Sequence, residues 1–209
     1  MSQETWEILC EMEADDVELQ LALQCAPLIT GLKISNLLTI SPEGFTQVGR
    51  IVEGSVLSLY PLLETEEKMV ILLYREDRLE KYLKMPQVQK LLREAGYESD
   101  RLEDILPVFC DRYETYAERG KPFPHELGLL LGYPPEDVEG FIRHQGKNSL
   151  CTGYWKVYAD KEGKQRLFEK FDPAVALWIK DDRNHRYLRM YRSIETGTER
   201  CGREGKING

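Results

Sequence analysis

Cys151, His125 and Glu126 are the side chains with which this sequence could run nucleophilic chemistry. A cysteine attacks electrophilic carbon once a neighbouring imidazole takes its proton and a third group orients the imidazole. Here Cys151 supplies the thiol, His125 the base, and Glu126 or Asn148 the orienting group. That reading needs a lowered thiol pKa and hydrogen-bond reach, neither of which sequence spacing provides. The competing reading makes Cys151 a small apolar residue on a strand. It places His125 and Glu126 in the first helical turn after Pro124, where the helix dipole favours an acid. A lone cysteine and histidine without a local signature favour this second, structural reading.

A second group of residues has the chemistry of binding. In Gly146-Lys147-Asn148, a turn with backbone amides and a lysine would suit an anion. Gly153 lies inside an expected strand, where glycine marks a bulge or a close approach by ligand or backbone. Tyr133, Tyr154 and Tyr158 add aromatic faces with hydroxyl rims, a composition suited to an organic ligand. On a strand, Tyr154 and Tyr158 would share one face and Trp155 the other. The structural alternatives are glycines that cap helices and tyrosines that pack in a core. No Walker or dinucleotide-binding pattern is present, so the identity of any cofactor is left open. The histidines and cysteines show no zinc-type spacing, so no metal site is expected.

Composition narrows the partners. The 209 residues are 42% hydrophobic and 31% charged, with a net charge of −8. Residues 1–100 carry 18 acids and 9 bases, whereas residues 101–209 carry 18 acids and 19 bases. An acidic first half argues against wrapping duplex nucleic acid, whose affinity comes largely from phosphate neutralisation. No apolar run approaches the roughly 18 residues of a membrane span, and the acidic N-terminus does not read as a signal peptide. Five scattered cysteines read as free thiols in a reducing, cytoplasmic compartment. A basic cluster, Lys180 to Arg192, is interleaved with Tyr187 and Tyr191. It would suit RNA or an acidic protein partner, or serve as a solvated helix face.

The elements that must position these residues follow from periodicity. A short helix is expected over residues 3–12 and another from Asp15, stopped by Pro27. Strands are expected over 36–40, 55–63, 69–75 and 150–158, with a helix after Ser41-Pro42. Val70-Ile71-Leu72-Leu73-Tyr74 is continuously apolar, so its strand should be covered on both faces. Residues 76–119 read as helices opened by Pro86 and Ser99, with Pro107 expected to kink or split the last. A short helix fits 125–131 with Gly132 as its cap, and another begins at Pro134-Pro135. A terminal helix starts near Lys161 and resumes after Pro173. The expected fold class is α+β: a helix-rich domain over 1–192 with a small, mainly antiparallel sheet. Residues 193–209 read as a flexible tail.

Two motifs carry a family resemblance. One is Phe123-Pro124-His125-Glu126-Leu127-Gly128 through Gly132-Tyr133-Pro134-Pro135, with Gly146-Lys147-Asn148 and Cys151-Thr152-Gly153-Tyr154-Trp155. The other is Cys25-Ala26-Pro27, Gly31-Leu32-Lys33 and Asn36-Leu37. Together they resemble the bacterial domain of unknown function 3793 family over about residues 17–180. The resemblance implies a cytosolic bacterial protein of about this length. Through genes near flavodoxin and iron-uptake functions, it also hints at redox or iron physiology. Members often have His-Cys-Ala-Pro where this chain has Gln24-Cys25-Ala26-Pro27.

The residues and the resemblance together point to a non-enzymatic protein that binds a small ligand or cofactor, or acts as an accessory protein. A thiol-dependent enzyme using Cys151 and His125 is the alternative, and a protein or RNA interaction module the third reading. Packing of the 150–158 strand onto the main hairpin would bring the two motifs side by side.

Overall fold

The computed structural model describes residues 17–119 and 122–181. The expected helix over 3–12, the basic cluster beyond residue 181 and the 193–209 tail lie outside the described residues. The order of elements is α1 (Val17–Ile29), β1 (Ser35–Ile40), a 3-10 turn (Pro42–Gly44), α2 (Phe45–Val52), β2 (Ser58–Glu64) and β3 (Met69–Tyr74). Five helices follow: α3 (Glu76–Leu83), α4 (Pro86–Glu94), α5 (Leu102–Arg119), α6 (Leu127–Leu130) and α7 (Pro135–Arg143). A minimal hairpin of β4 (Cys151–Thr152) and β5 (Lys156–Val157) precedes α8 (Lys161–Asp181).

The main sheet has the order β1-β3-β2 and both pairings are antiparallel. Every residue of β3 is buried, as its continuous apolar run requires. Alternation splits that strand between two cores. Met69, Ile71 and Leu73 face α1 and α2, packing with Leu21, Leu28, Leu38 and Val48. Leu72 and Tyr74 face α3, α4 and α5, packing with Leu62, Leu79, Leu83, Val88 and Phe109. The fold is therefore α+β, with one antiparallel sheet between two helical layers. Each fully buried Leu or Ile in these layers contributes roughly 1.5–3 kcal/mol. Pro61 sits on the edge strand β2 beside a register shift, where its missing N–H costs no ladder bond.

Sequence expectations are corrected at three prolines and over one strand. Pro27 does not stop α1, which runs to Ile29, and Pro107 does not divide α5. The carbonyls deprived of a helical partner belong to Leu23 and Glu103, both exposed residues, so the lost helical bonds do not fall in the core. Pro173 likewise leaves α8 continuous through Asp181. The remaining correction concerns 150–158. Only four of its residues pair, Cys151 with Val157 and Thr152 with Lys156, and they form a separate two-stranded sheet. Trp155 N–H, Tyr158 N–H and the ring of Tyr154 are engaged by neighbouring helices instead, and that packing overrides the alternating pattern.

The end of α1 is closed by arginines from the β3–α3 corner. The buried Arg75 donates to the carbonyls of Leu28 and Ile29 at 3.4 and 3.2 Å, and Arg78 donates to Gly31 O at 3.0 Å. Cationic donors at a helix C-terminus satisfy the orphan carbonyls and match the dipole. Among the described residues, no helix is long and apolar enough to cross a membrane.

Candidate functional site

The Gly132 corner begins the site. Gly132 has φ +67° and donates to Leu129 O, while Tyr133 N–H donates to Gly128 O. This pair of bonds closes α6 as a Schellman motif. A Cβ on Gly132 would overlap Ile34, so glycine is required by conformation and by space. Ser35 Oγ donates to Leu130 O at 2.5 Å, tying the start of β1 to the same corner. The two sequence motifs are thus neighbours, but through this corner and not through strand pairing by 150–158.

After the corner, Tyr82 Oη donates to Tyr133 O at 2.5 Å and Pro135 opens α7. One buried carboxylate on α7 then fixes the β4–β5 hairpin. Asp137, 2% exposed, accepts Tyr158 N–H at 2.7 Å and Ala159 N–H at 3.1 Å on Oδ1. Its Oδ2 accepts Trp155 Nε1–H at 2.8 Å. Gly140, one turn on, leaves room for Tyr158, which a Cβ would strike. Sequence reading passes over Asp137 because an acid in the first turn of a helix already has an explanation in the dipole.

Two rows of rings result. Phe123, His125 and Phe141 form one, with successive centroids 5.8 and 5.3 Å apart. Tyr133 and Trp155 stack at 4.8 Å in the other, where Phe168 meets Trp155 edge-on and Phe171 meets Tyr154 edge-on. Between the rows lies a cleft of about 260 Å³, closed by Leu127, Leu131 and Val138 and edged by Lys156. Phe123 and Tyr154 keep 38% and 41% exposure there, high values for large rings beside an apolar cleft.

Of the residues singled out from sequence, the structure gathers Tyr133, Tyr154 and His125 around this cleft. Trp155 joins Tyr154 on it, because the 153–155 turn removes the strand alternation that would separate them. Tyr158 lies behind, stacked on His144 at 5.6 Å, with its hydroxyl buried and burial pushing its pKa up. Gly153 is filled from within the protein: a Cβ there would overlap the Phe168 ring. Lys147 and Asn148 are exposed on the turn after α7 and do not line the cleft. In that turn Gly146 N–H donates to Phe141 O and Lys147 N–H to His144 O, so both amides close the helix.

Cys151, His125 and Glu126 do not come together by hydrogen bonds among the described residues. His125 meets rings on both sides, and Cys151 sits in the β4–β5 ladder. Glu126 is buried and accepts Arg112 Nη1–H at 2.8 Å and Tyr97 Oη–H at 3.2 Å. Arg112 also donates to Ala95 O and lies 4.5 Å from the Tyr97 ring centroid, so this carboxylate pins α5 to the α4–α5 corner.

A polar cluster adjoins the other side of the Gly132 corner. Asn36 Nδ2 donates to the carbonyls of Gln24 and Leu37 and approaches Cys25 Sγ at 3.8 Å. Gln24 exchanges two hydrogen bonds with the backbone of Thr39, at 2.9 and 3.0 Å, and so closes the free edge of β1 as another strand would. Lys33 donates to Asn36 Oδ1, and its ammonium lies 5.5 Å from the centroid of the Tyr133 ring. Lys33 is 9% exposed, and among the described residues no carboxylate pairs with it. Burial pulls its pKa down to about 8, partly opposed by Cys25, and burial pushes the Cys25 thiol up to about 12. Sequence reading placed Lys33 in a motif without a role, since one lysine among 28 basic residues reads as surface.

Residues of both motifs therefore meet at the Gly132 corner, while Lys147 and Asn148 do not line the cleft beside it. A family model described as "Protein of unknown function (DUF3793)" matches residues 21–188. The chain belongs to the DUF3793 family. Comparison with curated proteins and with solved structures returns no match. Within this DUF3793 chain, the matched region takes in both the aromatic cleft and the Lys33 cluster.

Proposed function

We propose that this DUF3793 protein is a non-enzymatic binder of a small planar organic molecule, held between the two aromatic rows. The carrying observation is the cleft itself: about 260 Å³, walled mainly by rings, with Phe123 and Tyr154 left partly exposed beside it. Rings at opposed walls suit stacking and edge contacts with a flat ligand. His125 faces rings and not a nucleophile, which favours binding over thiol catalysis. Cys25, Cys110 and Cys151 are free thiols, in keeping with a cytoplasmic setting. The family resemblance adds redox or iron physiology as the context for such an accessory protein.

Native mass spectrometry of protein purified from its own host is the direct test, with N-phenyl-1-naphthylamine fluorescence as a second readout. The native protein is expected to carry an organic ligand or to bind the probe. Tyr154→Ala and Phe141→Ala should each weaken binding by roughly tenfold, the loss of about one aromatic contact. A protein that carries nothing and binds no probe, or variants that bind as well as the parent, would remove this reading.

A further inference from the structure

We propose that the cleft selects aromatic anions, planar ring compounds carrying a carboxylate, sulfonate or phosphate, and that Lys33 behind the Tyr133 wall supplies the selecting charge. This rests on the cleft being a ligand site and names the class of ligand.

Three observations carry it. First, the Lys33 ammonium is buried with one acceptor, Asn36 Oδ1, among the described residues, and no carboxylate there pairs with it. A buried cation without a counter-charge is costly, and an anion arriving nearby recovers part of that cost. Second, Tyr133 belongs to both places. Its ring is a wall of the cleft, and the ammonium lies 5.5 Å from that ring's centre. This distance is within a Debye length, and the intervening material is protein, so the charge is felt in the cleft.

Third, the charges of the described residues around the two sites sum to a net positive charge. Cys25, on α1, faces the ammonium as a neutral thiol, its pKa raised to about 12 by burial. Asn36 on β1 is uncharged. Among the described lining residues the one carboxylate is Asp137; its three N–H donors hold it in place and leave its charge, which offsets one of the two lysines. Lys156 at the edge is a second cation, 5.8 Å from the Phe141 ring and bonded to Gly146 O. The balance across the site is positive in a chain whose net charge is −8.

The test uses two probes with one ring skeleton, 8-anilinonaphthalene-1-sulfonate and the neutral N-phenyl-1-naphthylamine. They are titrated into the parent, Lys33→Met and Lys156→Met. The parent should prefer the sulfonate by roughly tenfold or more, the equivalent of one pKa unit on Lys33. Lys33→Met should abolish that preference without changing affinity for the neutral probe, and Lys156→Met should reduce it less. In the parent, the lysine side-chain NMR resonance of Lys33 should titrate at least about one unit higher with sulfonate bound.

If the neutral probe binds but the parent shows no preference, the charge selection is wrong and the cleft reading stands. The same holds if the preference survives Lys33→Met or the Lys33 titration does not move. If neither probe binds, the charge selection fails, and the cleft reading fails with it when the native protein also carries no organic ligand. The NMR titration uses the unaltered chain, so it decides the matter even if Lys33→Met misfolds.

Discussion

Two buried charges flank the Tyr133–Trp155 stack, and they are treated in opposite ways. Asp137 has three N–H donors on its two oxygens at 2.7 to 3.1 Å, and it sits in the first turn of α7. Lys33 has Asn36 and the face of a ring, and no carboxylate pairs with it among the described residues. The carboxylate is paired by donors that exist only when the hairpin is in place, so it is a fastening. The ammonium is left short of what water would give it, so the fold tolerates a cost there. Buried polar groups that are satisfied are explained by structure, whereas one that is not invites a functional account.

The sharpest way to break the contrast is to remove each charge in turn. Asp137→Ala leaves Trp155 Nε1–H and the amides of Tyr158 and Ala159 without their acceptor. Stability should fall by about 3–5 kcal/mol, measured by urea unfolding, with loss of the Trp155 environment. Lys33→Met should go the other way. The pKa of about 8 against an ordinary value of 10.5 corresponds to about 3 kcal/mol of penalty at neutral pH. The variant should therefore be more stable than the parent by roughly 1–3 kcal/mol, since methionine fills similar volume without the charge. A destabilised Lys33→Met would mean that the Asn36 and Tyr133 contacts outweigh burial, and the two charges would no longer differ in kind.

That contrast also explains what the sequence made legible. The continuous apolar run of β3 could only be a strand covered on both faces, and the proline and glycine signals placed most helix ends. Tyr133 and Tyr154 stand out in the sequence as aromatic faces with hydroxyl rims and His125 as a base for Cys151; the structure places all three around the cleft, His125 between rings and not beside a thiol. The 150–158 segment misled because its alternation is real but serves packing against α7 and α8, not a ladder. Gly153 misled for a related reason: the close approach it permits is by Phe168, 15 residues later. Asp137 and Lys33 were hidden because their identities suit ordinary surface roles, and burial is decided by contacts distant in sequence.

The same two-charge contrast has a pH signature. A lysine whose folded pKa is lowered binds fewer protons folded than unfolded between that value and 10.5. Stability therefore rises with pH across that window, beginning near pH 8. Cys25 acts oppositely: its pKa, raised from 9.0 to about 12, makes stability fall as pH climbs above 9. The net expectation is a gain of about 1 kcal/mol between pH 7 and pH 9, followed by a plateau and decline. Chemical unfolding at stepped pH measures it. Lys33→Met should lose the rise and keep the decline. A parent whose stability is flat or falling from pH 7 to 9 would show that Lys33 titrates as an exposed amine does.

The smallest expected effect sharpens the comparison most, because it concerns a lysine in a similar setting. Lys156 also lies beside an aromatic ring, 5.8 Å from the Phe141 centroid against 5.5 Å for Lys33 and Tyr133. Lys156 is exposed, however, and donates to the carbonyl of Gly146 at 2.7 Å. Water already solvates its charge, so the ring and the hydrogen bond contribute little beyond what solvent offers. Lys156→Met should change stability by less than about 1 kcal/mol, in the destabilising direction, and leave the rise between pH 7 and 9 intact. Measured beside Lys33→Met, it separates proximity to a ring from burial. If the two variants shift stability alike, the ring sets the energetics of both lysines. If only Lys33→Met is stabilising, desolvation at the Gly132 corner is the cause.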